Sequence, residues 1–129
     1  MNFLQPPGWA RPKGFSHGIS AHGKQVFIAG QIGCNAQGVL EEKTFPGQFG
    51  QTLRNILAVL AEAGGKPEHL VRLTWYVRDL KEYNSSLKDI GAAYREVIGK
   101  HYPAMAVVEV TGLVEPDARL EIEATAVIP

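Results

Sequence analysis

The sequence predicts an α+β sandwich of order β-β-α-β-α-β-β, in which one mixed sheet carries two helices on one face. Three observations lead to this prediction. Two segments repeat apolar residues at helical spacing, several others alternate apolar and polar residues as strands do, and glycine or proline turns separate them. The chain of 129 residues has the length of one domain, so residues 1–129 are predicted to form a single domain without internal repeats or linkers.

The N-terminal part is predicted to hold two strands. Residues 1–13 are rich in proline and are expected to form a loop. Strands are predicted at Gly18–Ala21 and Lys24–Ile32, with a tight turn at His22-Gly23 between them. The stretch 33–47 is expected to be a long surface loop.

The centre of the chain is predicted to be a helix followed by a strand. An apolar stripe predicts a helix from Phe49 to Ala63, which the glycine pair Gly64-Gly65 ends. In His69–Leu80 apolar residues alternate with polar ones, as expected for a strand with one buried face.

The C-terminal part is predicted to hold a second helix and two strands. A helix is expected at about residues 84–98, although Gly91 weakens it by ~1 kcal/mol relative to alanine, which is tolerable where another group packs closely. Alternation then predicts strands at Met105–Leu113 and Ala118–Ile128.

Two helices cover only one face of such a sheet. The other face is expected to carry apolar and charged side chains together: Arg72, Tyr76, Met105, Val107, Glu109, Arg119, Glu121 and Glu123. This face is either solvated or packed against further copies of the chain. We favour the second, because Tyr76, Met105 and Val107 would otherwise form an exposed apolar patch. Ligand sites in such assemblies often lie between subunits.

Composition argues against several classes of partner. Lys+Arg and Asp+Glu both number 13, so the net charge is zero and neither nucleic acid nor an anionic membrane is the expected partner. No apolar run approaches ~20 residues, and the N-terminus lacks the features of a signal peptide. Cys34 is the single cysteine and has no internal disulfide partner, which fits a reducing, cytoplasmic location.

No strong catalytic motif is present. The four histidines lack metal-ligand spacing, so no metal site is predicted. Ser16 and His17 are neighbours, but on a strand their side chains would point to opposite faces. Glu121 and Glu123 share a strand face with Cα atoms about 6.5–7 Å apart by strand geometry. They suit acid–base work, or, as an equal alternative, ion pairing with Arg119.

Five segments, taken in their order and spacing, resemble one protein family. They are AGQI, QTLRNILAVLAEAGG at 51–65, VRLTWYVRDLKEY at 71–83, YPAMAVVEV at 102–110 and LEIEATAV at 120–127. Together they resemble the RidA family, the reactive-intermediate deaminases, also called the YjgF or L-PSP family. The resemblance extends from Gly14 onward. It implies a fold similar to chorismate mutase, a homotrimer and ligand clefts between subunits.

The resemblance also implies an activity. The family hydrolyses 2-enamines and 2-imines derived from amino acids to 2-keto acids and ammonia, without a metal or an organic cofactor. An imine carbon is already electrophilic, so a site has only to position water, move protons and hold the substrate carboxylate. In the family an arginine holds that carboxylate through a forked pair of hydrogen bonds.

The family's site residues are only partly retained. The arginine falls on Met105, a cysteine two residues later falls on Val107, and a tyrosine falls on Ser16. The glutamate is retained as Glu121 and the glycine-rich turn as Gly30-Gln31. A cleft asparagine on the second helix aligns near Leu87 or Gly91, and neither replaces it.

These substitutions shape the expected function. Glu121 is the expected catalytic residue, and the expected ligand-binding residues are Ser16, Gly30, Gln31, Met105, Ala106, Val107 and Arg119. Arg119, Arg11 and Arg72 are candidates to replace the missing arginine. The first hypothesis is a RidA-like hydrolase of imines, enamines or related small reactive intermediates, in which loss of the arginine weighs against standard 2-imino-acid deamination. The alternative is a non-catalytic trimer that binds a small metabolite or another protein through the same cleft. Ribonuclease activity, sometimes attached to this family, has no evident RNA surface here.

Overall fold

The computed structural model describes all residues, Met1–Pro129, and centres on a four-stranded sheet. The strands are β1 (Asn2–Leu4), β2 (Gly18–Ser20), β3 (Lys24–Gln31), β4 (Leu70–Val77), β5 (Ala104–Glu109) and β6 (Leu120–Ile128). The helices are α1 (Phe45–Glu62), α2 (Leu80–Ser85) and α3 (Leu87–Val97), and a 3₁₀ turn spans Pro67–His69. None of the helices has both the length and the apolar character that crossing a bilayer requires.

The sheet is mixed, with strand order β3-β6-β4-β5. Strand β6 runs antiparallel to both β3 and β4, while β4 and β5 are parallel and are connected through α2 and α3. The predicted α+β class, with helices on one face of a mixed sheet, is confirmed. The predicted five-stranded count is corrected, because β2 pairs with β1 in a separate two-stranded ribbon. Strand β1 is only three residues long and lies in the segment expected to be loop, so no alternation marks it.

Helix α1 begins four residues earlier than its apolar stripe predicts. Thr44 caps it by accepting a hydrogen bond from the Gly47 amide, and Pro46 occupies its first turn. These residues are polar or helix-breaking in other contexts, so the pattern of apolar residues does not include them. The helix ends at the predicted glycines, where Gly64 has a positive φ of 80°.

The second predicted helix is two helices in the structure. Asp79 caps α2 by accepting from the Lys81 amide. Ser86 then leaves helical geometry between α2 and α3, while the Ser85 hydroxyl donates to the Glu82 carbonyl at 3.0 Å. Serine hydroxyls compete for backbone groups in this way, which favours a break in the helix.

The core lies between the sheet and helices α1 and α3. It contains the predicted stripe of α1 together with alternate residues of β4 and β6: Phe49, Leu53, Ile56, Leu60, Leu73, Trp75, Val77, Leu120, Ile122 and Ala124. From α3, Ile90 and Tyr94 pack against it. The alternation in β4 therefore predicts its buried face correctly.

The predicted orientation of β5 is wrong. Met105 pairs with Leu73 and Val107 with Trp75, so both side chains face the helices rather than the open face of the sheet. Alternation shows which residues of a strand share a face, and only the pairing with β4 decides which face is covered. The open face instead carries Ala106 from this strand.

Tyr94 should make the fold sensitive to alkaline pH. Its hydroxyl donates to the His101 carbonyl, and burial raises its pKa above the ordinary value of 10.0. The folded chain therefore keeps a proton that the unfolded chain releases, so this stabilisation is complete below pH ~10 and is lost as pH rises further. In urea unfolding from pH 8 to 11, the free energy of unfolding should fall less steeply in Tyr94→Phe than in the wild type. Equal slopes would contradict this role.

Candidate active site

A cleft opens between the helix-facing side of β5, helix α3 and the segment before β2. Its volume is about 530 Å³, within the range of ~300–1,000 Å³ usual for small-molecule sites. The lining residues are Lys13, Gly14, Phe15, Trp75, Tyr83, Leu87, Ile90, Gly91, Tyr94, Arg95, Tyr102, Met105 and Val107. The cleft is thus mainly apolar and aromatic, and no carboxylate lines it.

Met105 and Val107 form part of the strand wall of this cleft. They alternate along β5, and the register beside Leu73 and Trp75 turns both toward the helices. Both are partly buried against the core. Met105 therefore presents a flexible thioether where the resemblance expects a guanidinium.

Trp75 also lines the cleft, although its polar group is buried. Its side chain is 2% exposed, and its ring lies 4.6 Å from the Phe49 ring and 5.8 Å from the Tyr83 ring. The indole Nε1–H is buried and has no hydrogen-bond partner. Buried donors without an acceptor are uncommon in folded proteins. The alternation in β4 identifies Trp75 as buried, but no sequence signal marks its nitrogen as unpaired.

Ser16 and Ala106 lie near Met105 without lining the cleft. The Ser16 hydroxyl donates to the Tyr102 carbonyl at 2.6 Å, and its amide donates to the Pro103 carbonyl at 3.0 Å. These bonds fasten the segment before β2 to the start of β5. Ala106 points to the opposite face of the sheet, where it borders a shallow depression with Arg72 and Phe27.

Glu121 and Gly30 lie together, and they lie apart from Met105. Gly30 on β3 sits so close to Glu121 that a Cβ there would collide with the carboxylate. Glu121 pairs with Tyr76 on the open face of the sheet, whereas Met105 faces the helices. A single chain therefore does not bring Glu121 and Met105 to one site.

Gln31 and Glu123 each form a hydrogen bond within the chain. The side-chain amide of Gln31 donates to the Ala29 carbonyl at 3.1 Å. On the open face, the Tyr76 hydroxyl donates to Glu123 Oε1 at 2.6 Å, and this bond is the main reason why the pKa of Tyr76 is raised. Glu121 and Glu123 thus have different surroundings, since only Glu123 has a phenol as partner.

Arg119 is held away from the cleft. Its guanidinium contacts both oxygens of Glu82, at 2.8 and 3.0 Å, and donates to the Lys43 carbonyl at 2.7 Å. It therefore links β6 to α2 and to the loop before α1. Arg72 lies on the open face, and Arg11 borders a neighbouring depression beside Phe3. None of these three arginines lines the Met105 cleft.

Two other cations, which no sequence pattern marks, do line it. Arg95 extends from the last turn of α3, and Lys13 lies in the segment before β2. The Arg95 guanidinium folds back along the helix, so that its Nη1 would lie 3.2 Å from a Cβ on Gly91. The expectation that a group packs closely at Gly91 is confirmed. The sequence does not show that the Arg95 side chain folds back over one helical turn. The spacing of four residues between Gly91 and Arg95 is only a weak signal of this contact.

The fold and this cleft define a class of small α+β sandwich proteins with a ligand-sized cavity beside an edge strand. A model of the Endoribonuclease L-PSP family matches residues 9–128. The chain is 33% identical to a RutC family protein of Aquifex aeolicus, over 98% of this chain and 99% of that protein. It is also 32% identical to the 2-iminobutanoate/2-iminopropanoate deaminase of Salmonella typhimurium, over 81% of this chain and 80% of the enzyme.

A solved structure shows the same likeness in three dimensions. The Rid family protein YyfB of Yersinia pestis superposes with a TM-score of 0.86, at 32% identity, and each chain is covered to 98%. The chain therefore belongs to the L-PSP family, which is the RidA family expected from its sequence.

Proposed function

We propose that this chain hydrolyses imines or enamines of small molecules in the Met105 cleft, with Glu121 supplied by a second copy of the chain. The observation that carries the proposal is the cleft itself. It is ligand-sized, apolar and lined by the residues at the family's ligand positions, Met105 and Val107. A deaminase at 32% identity supplies the reaction class.

The reaction needs few groups. A water molecule attacks the imine carbon and forms the new C–O bond, while the C=N π electrons move to nitrogen, which takes up a proton. Glu121 accepts the proton that water releases and passes it to nitrogen, which gives a carbinolamine. It then takes the proton of the new hydroxyl group and passes it to the amino nitrogen, so that the C=O bond forms as the C–N bond breaks and a ketone and ammonia leave. An enamine first gains a proton on carbon to become the imine. Backbone groups beside Met105 would receive the substrate.

Met105 changes the substrates that the cleft favours. A charge-assisted hydrogen bond of the kind an arginine makes contributes ~1.5–3 kcal/mol, and a thioether does not replace it. Small 2-imino acids bury little apolar surface, so loss of this bond at position 105 should make them poor substrates. Molecules with a large apolar or aromatic group fit the apolar wall of the cleft better than small 2-imino acids do.

A second copy is part of this proposal because Glu121 and Met105 lie on opposite faces of the sheet. The open face that carries Glu121 also exposes apolar side chains, among them Phe27 at 74% and Val108 at 42%. Packing this face against other copies would bury them, and a homotrimer is the assembly that the family resemblance implies. Light scattering should give a mass three times the chain mass of 14.1 kDa. A mass of one chain would overturn both the trimer and the shared site.

The activity is tested by trapping the substrate. An amino-acid oxidase generates the imine of phenylalanine in the presence of semicarbazide, which captures surviving imine, and the semicarbazone is followed by absorbance. The protein should reduce the trapped amount in proportion to its concentration, with catalase and heat-inactivated protein as controls. Unchanged trapping with imines from phenylalanine, leucine and alanine would overturn the hydrolase and favour the non-catalytic alternative.

A further inference from the structure

We propose that Arg95 on α3 is the carboxylate-binding residue of this cleft, and that the cleft selects imines of 2-keto acids with an aromatic or large apolar side chain. This inference rests on the proposed function and names its substrate class. The carboxylate-binding residue would then lie on the helix wall of the cleft and not on the strand wall, which Met105 helps to form.

The position of the Arg95 guanidinium, and its lack of partners within the chain, allow it to bind an anion. Its guanidinium lies along α3 over Gly91 and lines the cleft. It makes no hydrogen bond or ion pair within the chain, whereas Arg119 is bound to Glu82. Its neighbour Glu96 faces Arg54 on α1 at 3.9 Å. An unpaired guanidinium beside an apolar surface suits a carboxylate, because its planar fork matches the two oxygens.

The surroundings of Arg95 strengthen the preference for an anion. Lys13 also lines the cleft, and no acidic residue of the same chain does, so two cations outnumber the one Glu121 that a second copy would supply and the local field stays positive.

The aromatic residues that line the cleft favour a ligand with a large apolar or aromatic side chain. Tyr83, Tyr94 and Tyr102 line the cleft, and the rings of Tyr94 and Tyr102 stack with centroids 5.3 Å apart. A cavity of about 530 Å³ leaves much space around a three-carbon imino acid. An aromatic side chain would fill that space and bury its apolar surface against these rings.

Binding of stable ligands separates the two parts of this inference. Phenylpyruvate carries both the carboxylate and the ring, phenylacetone lacks the carboxylate, and pyruvate lacks the ring. Calorimetry on the wild-type protein should show phenylpyruvate binding at least tenfold more tightly than either of the others, as expected when one charge-assisted hydrogen bond or one buried ring is lost.

Two variants then test the residue. Arg95→Gln should weaken phenylpyruvate binding by about tenfold or more and leave phenylacetone binding unchanged. Lys88→Gln is the matched control, because Lys88 is exposed on the same helix and does not line the cleft. It should bind all three ligands as the wild type does. Wild-type affinity for phenylpyruvate in Arg95→Gln would overturn the assignment.

The same variants in the trapping assay distinguish failure of this inference from failure of the proposed function. If the wild type hydrolyses imines and Arg95→Gln hydrolyses the phenylalanine imine equally well, the hydrolase stands and the role of Arg95 is refuted. If the wild type hydrolyses none of the imines, the hydrolase is refuted, and the calorimetry alone decides whether Arg95 binds carboxylates. The full inference predicts that Arg95→Gln loses selectivity for the phenylalanine imine over the alanine imine.

Discussion

Replacing Glu121 with glutamine should lower kcat for imine hydrolysis by about 10²–10⁴-fold, the usual contribution of a general acid–base group. Glutamine keeps the size of the side chain and loses the ability to take a proton from water. KM and the free energy of unfolding should change little, because Glu121 is only half-buried and has no hydrogen-bond partner within the chain. The measurement is the steady-state rate in the trapping assay at saturating substrate.

Glu123→Gln is the matched control for this substitution. Glu123 lies two residues away on the same strand and face, and it accepts a hydrogen bond from Tyr76. The control should retain a rate near that of the wild type. Gly30→Ala provides an independent check, because the added Cβ displaces the Glu121 carboxylate without removing it. A full rate in both Glu121→Gln and Gly30→Ala would contradict the catalytic role.

Replacing Met105 with arginine should restore hydrolysis of small 2-imino acids. The side chain at this position lines the cleft and is only partly buried, so a guanidinium there reaches the ligand without being forced into the core. The gain in kcat/KM for the alanine imine should be about 10–100-fold, which corresponds to one charge-assisted hydrogen bond.

Met105→Leu is the control for shape, and it should leave the activity toward the alanine imine as low as in the wild type. Met105→Lys should recover less than the arginine variant, since an ammonium group does not offer two parallel hydrogen bonds. No gain in Met105→Arg, in a protein that still folds and still hydrolyses the phenylalanine imine, would show that the absent arginine does not limit the substrate range.

The fold was largely predictable because its elements have strong local signals. The apolar stripe of α1 and the alternation in β4 identify the two elements that supply most of the core. The signals fail where an element is short or has no buried face of its own. Strand β1 has three exposed residues, and α2 has six residues with none buried, so neither produces a readable pattern.

The site was less predictable because it depends on packing between elements. Sequence order and family likeness single out Met105 and Val107, and both line the cleft. They do not reveal that β5 turns these residues toward the helices, because that follows from its parallel pairing with β4. Arg95 has no motif around it. Its proximity to the ligand positions arises only in the folded chain, where α3 and β5 form two walls of one cleft.

The claim that Met105 and Glu121 act together across a subunit boundary is tested most directly by mixing two inactive proteins. Glu121→Gln lacks the base, and Met105→Trp fills the cleft. After subunits are exchanged by mild denaturation and refolding, random mixing should leave about a quarter of the sites with an open cleft from one variant and Glu121 from the other. We predict recovery of a corresponding fraction of wild-type activity. Mixed oligomers, verified by mass, that remain as inactive as the separate variants would contradict a shared site.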